Sequence, residues 1–81
     1  MDEYKLMEIV AKERYEVEMK RIEKKRLLDN RAHILRNDNV LEFAYMLKLI
    51  EINVGILDLE MHKHGLEIDQ FNEKICNLNR E

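Results

Sequence analysis

Proline, tryptophan, serine and threonine are all absent from this chain. Without proline, nothing in the covalent structure forbids a long uninterrupted helix. Without serine or threonine there is no hydroxyl nucleophile for a Ser-centred triad, and Tyr4, Tyr15 and Tyr45 are the only side-chain hydroxyls. The two glycines, Gly55 and Gly65, are too few for a glycine-rich phosphate loop. The lone cysteine, Cys76, excludes an intramolecular disulfide, so a reducing cytoplasm is the expected compartment. No paired catalytic carboxylates can be assembled either, and the expectation is a protein that is not an enzyme.

What is present is charge and aliphatic surface. Of the 81 residues, 46% are hydrophobic and 38% charged, which fits a helical or coiled-coil protein and argues against disorder. A chain this short forms one domain at most and buries only about 60% of its unfolded surface, so a partner would add useful burial. The net charge of −3 hides an asymmetry: residues 1–19 carry −3, residues 20–36 carry +5 and residues 37–81 carry −5. The opening MDEYKLMEIVAKE lacks the basic and apolar regions of an export signal. The apolar stretch 40–61 is interrupted by Glu42, Lys48, Glu51, Asn53, Asp58 and Glu60, so no membrane association is expected.

Punctuation along the chain predicts three helices in one domain spanning 1–81. The first covers about 2–36, with Asp2 as N-cap and Arg36 near its end. Asn37-Asp38-Asn39 marks a turn, and Asn39 with Glu42 has the spacing of an N-cap and its N3 partner. The second helix covers about 40–64 and ends at Gly65, the residue that most readily adopts positive φ. A third, over about 67–80, presents Ile68, Phe71, Ile75 and Leu78 as one stripe. Three such unequal helices leave the distal part of the first uncovered by its own chain.

The second helix is apolar on two opposite sides. Phe43, Leu47, Ile50, Val54, Leu57 and Met61 follow a 4-3-4-3-4 spacing, the seam of a coiled coil, with Met46 beside it. Leu41, Tyr45, Leu49, Ile52, Ile56 and Leu59 form a second face, roughly opposite. The expected architecture is an all-α helical bundle with coiled-coil-like packing, homodimeric or of higher order through the second helix, with the Phe43–Met61 seam joining the copies. Ala44 and Gly55 would allow a close helix crossing. In the first helix, Val17, Met19 and Ile22 read as an arm facing a partner.

The basic block contributes Lys20, Arg21, Lys24, Lys25, Arg26 and Arg31. Lys20/Lys24 and Arg21/Lys25 are like-charge i,i+4 pairs whose repulsion a polyanion would relieve. Against nucleic acid stand the acidic net charge and the absence of stacking aromatics in the block. The block can equally serve as a solvated face, or dock on the acidic segment of another chain or on an acidic partner. Asp58/His62 and Glu60/His64 have i,i+4 spacing but point apart, so no metal site is expected, and His64 is assigned to a helix C-terminus beside Gly65. His33 and Cys76 lie on different helices and make no nucleophilic pair. Met7, Met19, Met46 and Met61 read as core filling. The function expected is that of a small non-enzymatic regulator, adaptor or assembly factor working by protein–protein interaction, without cofactors. The alternative is a nucleic-acid-binding regulator that uses the block 20–36.

Overall fold

A computed structural model describes residues 2–36 and 41–80, which form two helices, α1 (Glu3–Leu35) and α2 (Ala44–Asn79), and no strand. α1 starts where its cap dictates. Asp2 is extended, and its carboxylate accepts the backbone N–H of Lys5 at 2.8 Å, satisfying one of the donors left free in the first turn. At the other end the Arg36 N–H donates to the His33 carbonyl at 3.2 Å.

α2 begins later than the sequence suggests. Leu41, Glu42 and Phe43 form a turn, and Phe43 holds the N-cap position without a side-chain hydrogen bond. Asn37, Asp38 and Asn39, expected to shape this turn, lie outside the described residues.

The larger correction is at Gly65, where α2 continues without a break to Asn79, so the expected second and third helices are one. No glycine has positive φ. A glycine costs a helix interior only about 1 kcal/mol relative to alanine, whereas breaking α2 there would forfeit the packing of everything beyond it. The heptad spacing runs through the glycine: Met61, His64, Ile68, Phe71, Ile75 and Leu78 extend the seam that starts at Phe43. A Cβ placed on Gly65 meets nothing within 4 Å. Gly65→Ala is therefore expected to stabilise the chain by about 0.5–1 kcal/mol, read as a rise in the denaturant midpoint at constant slope. Gly55 is equally open, so no close crossing with α1 explains it.

With 33 and 36 residues the helices have nearly equal lengths, about 50 and 54 Å at 1.5 Å per residue. They lie antiparallel in a rod of 63 × 15 × 14 Å. The part of α2 beyond Gly65 therefore covers about the first third of α1. Val10 of α1, for example, borders the same surface groove as Asn72 and Ile75 of α2.

Among the described residues the buried core is Leu6, Val10 and Ile34 of α1 with Ile50 and Leu57 of α2. On α1 the seam follows Leu6, Val10, Glu13, Val17, Lys20, Lys24, Leu27 and Ile34, heptad spacing that admits three charged residues. On α2 it follows the Phe43–Met61 set, all buried or half-buried. That set, expected to join two chains, pairs the two helices of one chain instead. The second face, from Leu41 to Leu59, is exposed along its whole length. One face of α2 is covered and the other left open because α1, bearing one apolar stripe, can cover only one side of α2.

Candidate functional site

Two features stand out on the hairpin. One is a ladder of polar contacts inside the seam, and the other is the uncovered outer face of α2.

The ladder arises where α1 carries charge at heptad positions that would ordinarily be apolar. Lys20 Nζ lies 2.7 Å from Glu60 Oε2, and Lys24 Nζ lies 2.7 Å from Asp58 Oδ1. Glu13 meets His64 Nδ1, and Glu67 stands 3.9 Å from the same nitrogen. As the α1 number rises from 13 to 24, the α2 number falls from 64 to 58, which sets the antiparallel register. The lysine stems lie along the seam while their ammonium groups reach its edge.

These contacts shift the groups they join. The hydrogen bond from Lys20 holds the Glu60 carboxyl below its usual range, assisted by the lysine charge. Its counterpart raises Lys20 above the usual lysine range, first through the Glu60 hydrogen bond and against a smaller burial penalty. The His64 hydrogen bond lowers Glu13, again against burial, with the adjacent Glu67 acting in the same direction.

For Glu60, stability from the pair is present above the unfolded carboxylate pKa and is lost as pH falls through its depressed value. For Lys20, it is present below the unfolded lysine pKa and is lost as pH rises through its raised value. Lys20→Gln is therefore expected to lower the melting temperature most across neutral pH. The gap to the parent protein should close in acid below the carboxylate range, as followed by thermal circular dichroism at several pH values. A gap independent of pH would assign Lys20 a packing role alone.

Half of the basic block is thus engaged within the chain. Lys20 and Lys24 face Glu60 and Asp58, and Arg21 pairs with Glu18 at 2.7 Å. Docking of the block on an acidic segment of another chain was one of the readings open from sequence, and the carboxylates that Lys20 and Lys24 meet belong to the same polypeptide. Lys25, Arg26 and Arg31 are exposed on α1. The expected arm divides: Val17 is half-buried in the seam, whereas Met19 and Ile22 are exposed and, with Tyr15, line the outer side of α1 at 4-3 spacing.

Of the two metal half-sites considered from sequence, Asp58 and Glu60 are taken up by lysines, and His62 is exposed. His64 is not at a helix end but in the middle of α2, facing α1. Glu13, His64 and Glu67 instead bring one nitrogen and two carboxylate oxygens within 4.8 Å of one another. Glu13 and Glu67 carry no motif of their own. The available signal was register, since reading the α1 heptad strictly from Leu6 puts Glu13 in the seam. Cys76 is exposed.

The outer face of α2 is apolar and open. Leu41, Tyr45 and Leu59 are 92%, 75% and 71% exposed, and Leu49, Ile52, Ile56 and Leu66 are also exposed. From Tyr45 to Leu59 the spacing is 4-3-4-3, the same coiled-coil geometry that α2 uses toward α1. Leu49 also lines a shallow groove of about 400 Å³ with Leu27, Ile34, Met46 and Ile50, so the stripe continues onto the flank of the hairpin. No helix among the described residues is long and apolar enough to cross a membrane.

Comparison with known proteins returns no matching family model, no matching curated protein and no matching solved structure. The functional reading rests on the geometry.

Proposed function

We propose that this protein is a non-enzymatic helix-pairing module, a small regulator, adaptor or assembly factor that works through protein–protein contact. The outer stripe of α2 is its interaction surface, and the same stripe of a second copy is its first occupant. The observation that carries this reading is a second heptad-spaced apolar face left in water along α2.

Three physical arguments favour a second copy. A compact monomer of 9.9 kDa exposes about 5,200 Å² by the usual scaling with mass, whereas this chain exposes 6661 Å². The excess exceeds the roughly 800 Å² that each partner contributes to an interface of standard size. The stripe is also self-complementary about position 54, because Leu49 and Leu59 lie five residues to either side and Ile52 and Ile56 two, so an antiparallel two-fold pairing sets like against like. Finally, the borders of the stripe carry both signs, Lys48 and Glu60 among them, so self-association meets no row of like charges. Two hairpins joined this way make a four-helix assembly with α2 at its centre.

The nucleic-acid reading draws less support, since three of the six basic side chains it invoked are paired with carboxylates of the same chain. The test is the molar mass in solution by light scattering across a dilution series at near-physiological salt. A mass of twice 9.9 kDa that persists on dilution is expected. A stable monomer at every concentration would overturn self-pairing and leave the stripe to a helix from another protein.

A further inference from the structure

The contact between Glu13, His64 and Glu67 offers more than one ion pair. His64 and Glu67 are three residues apart, so α2 presents both on one side, and α1 brings Glu13 up to the same point from across the seam. Their ligand atoms, His64 Nδ1 and one carboxylate oxygen from each glutamate, all lie within 4.8 Å of one another. A tetrahedral cation bound at about 2.0–2.1 Å holds neighbouring ligand atoms roughly 3.3 Å apart, so the Glu13 oxygen, now in hydrogen-bond contact with His64, has to draw back while the Glu67 oxygen, 3.9 Å from Nδ1, comes in. The three side chains are 20–36% exposed, shielded enough to bind and open enough to leave a fourth position for water.

Charge points the same way. Two carboxylates meet at one imidazole, and even a protonated ring neutralises only one of them, whereas a dication neutralises both. Lys63, close enough to act on Glu13, opposes a bound cation. The donor set of one nitrogen and two oxygens selects the metal class: imidazole suits zinc and its transition-metal neighbours, whereas magnesium prefers oxygen ligands and keeps its waters.

We propose that Glu13, His64 and Glu67 form a three-ligand site for a divalent transition metal of the Zn²⁺ type, which staples α1 to α2 partway along the hairpin. The site needs both helices in register, so the folded chain binds the metal and the unfolded chain does not. Binding therefore stabilises the fold, and at free Zn²⁺ 100-fold above the dissociation constant the unfolding equilibrium constant falls about 100-fold. This inference is independent of the proposed pairing of two copies, because the ligands come from the seam and not from the outer stripe.

The experiment is calorimetric titration of the whole chain with Zn²⁺, repeated with Mg²⁺, alongside thermal unfolding with and without Zn²⁺. One Zn²⁺ per chain, a raised melting temperature and no Mg²⁺ binding are expected. Glu67→Gln, at the most exposed ligand and nearly isosteric, should keep the helical content yet weaken Zn²⁺ binding by on the order of tenfold or more, and His64→Ala should weaken it further. His62→Ala and His33→Ala should leave affinity unchanged. Absence of Zn²⁺ binding by the parent protein overturns the site. So does affinity unaffected by Glu67→Gln, or affinity that follows His62, His33 or Cys76, which would mark an adventitious surface ion. If His64→Ala fails to fold, Glu67→Gln decides.

Discussion

Leu57→Asp is expected to collapse the hairpin, while Ile56→Asp, one residue away, leaves its helices formed. Leu57 is one of five buried core side chains among the described residues, and Ile56 lies on the outer face, 47% exposed. Removing the buried leucine forfeits about 2–3 kcal/mol of burial, and a carboxylate in its place must be desolvated or protonated at a cost of similar size. A chain of 81 residues holds roughly 4–12 kcal/mol in total, and one with so few buried residues belongs at the low end. Far-UV circular dichroism on thermal melting separates the two variants. Equal losses from both would mean that α1 does not lie on the Leu57 side of α2.

The second large effect concerns assembly. Ile52→Lys combined with Ile56→Lys is expected to convert the proposed dimer into a 9.9 kDa monomer that keeps its helical content. Two-fold symmetry doubles each change, so four apolar side chains leave the interface. At about 1.5 kcal/mol each this is roughly 6 kcal/mol, or about 10⁴-fold in affinity, before repulsion between the new lysines is counted. Sedimentation equilibrium of parent and variant at matched concentration measures it. A variant that remained dimeric would remove the outer stripe from the interface. Met19→Lys with Ile22→Lys, on the outer side of α1, is the matched control and should leave the mass unchanged.

Both predictions depend on which face of α2 turns inward, a choice that periodicity alone could not make. Phe43, Leu47, Ile50, Val54, Leu57 and Met61 have the same spacing as the opposite set, and each set is apolar enough to be a seam. What distinguishes them lies on α1 and beyond Gly65. The inner set continues through His64 into Ile68, Phe71, Ile75 and Leu78, whereas the outer set meets Lys63 and fades after Leu66. Treating Gly65 as a stop hid that continuity, because a glycine at a helix end and a glycine tolerated inside one look alike in sequence. Likewise Lys20 and Lys24 read from sequence as a solvated face or a contact for a polyanion or an acidic partner, and Glu13 carried no signal of its own. A charged residue belongs in a seam only when its partner stands opposite, and Glu60, Asp58 and His64 are more than thirty residues away along the chain.

By itself the sequence determined the helical class, the N-cap at Asp2, the extent of α1 and the presence of two apolar faces on α2. Each of these follows from local rules, the hydrogen bonding of a first turn and the 3.6-residue period, which act within a few residues. Only the tertiary structure decided that two helices form instead of three, that the Phe43–Met61 set closes the hairpin, that Lys20 and Lys24 meet Glu60 and Asp58, and that Glu13, His64 and Glu67 converge. These outcomes depend on the register between α1 and α2, which is set by the sum of contacts along some 50 Å of paired helix and is encoded in no single stretch of the chain.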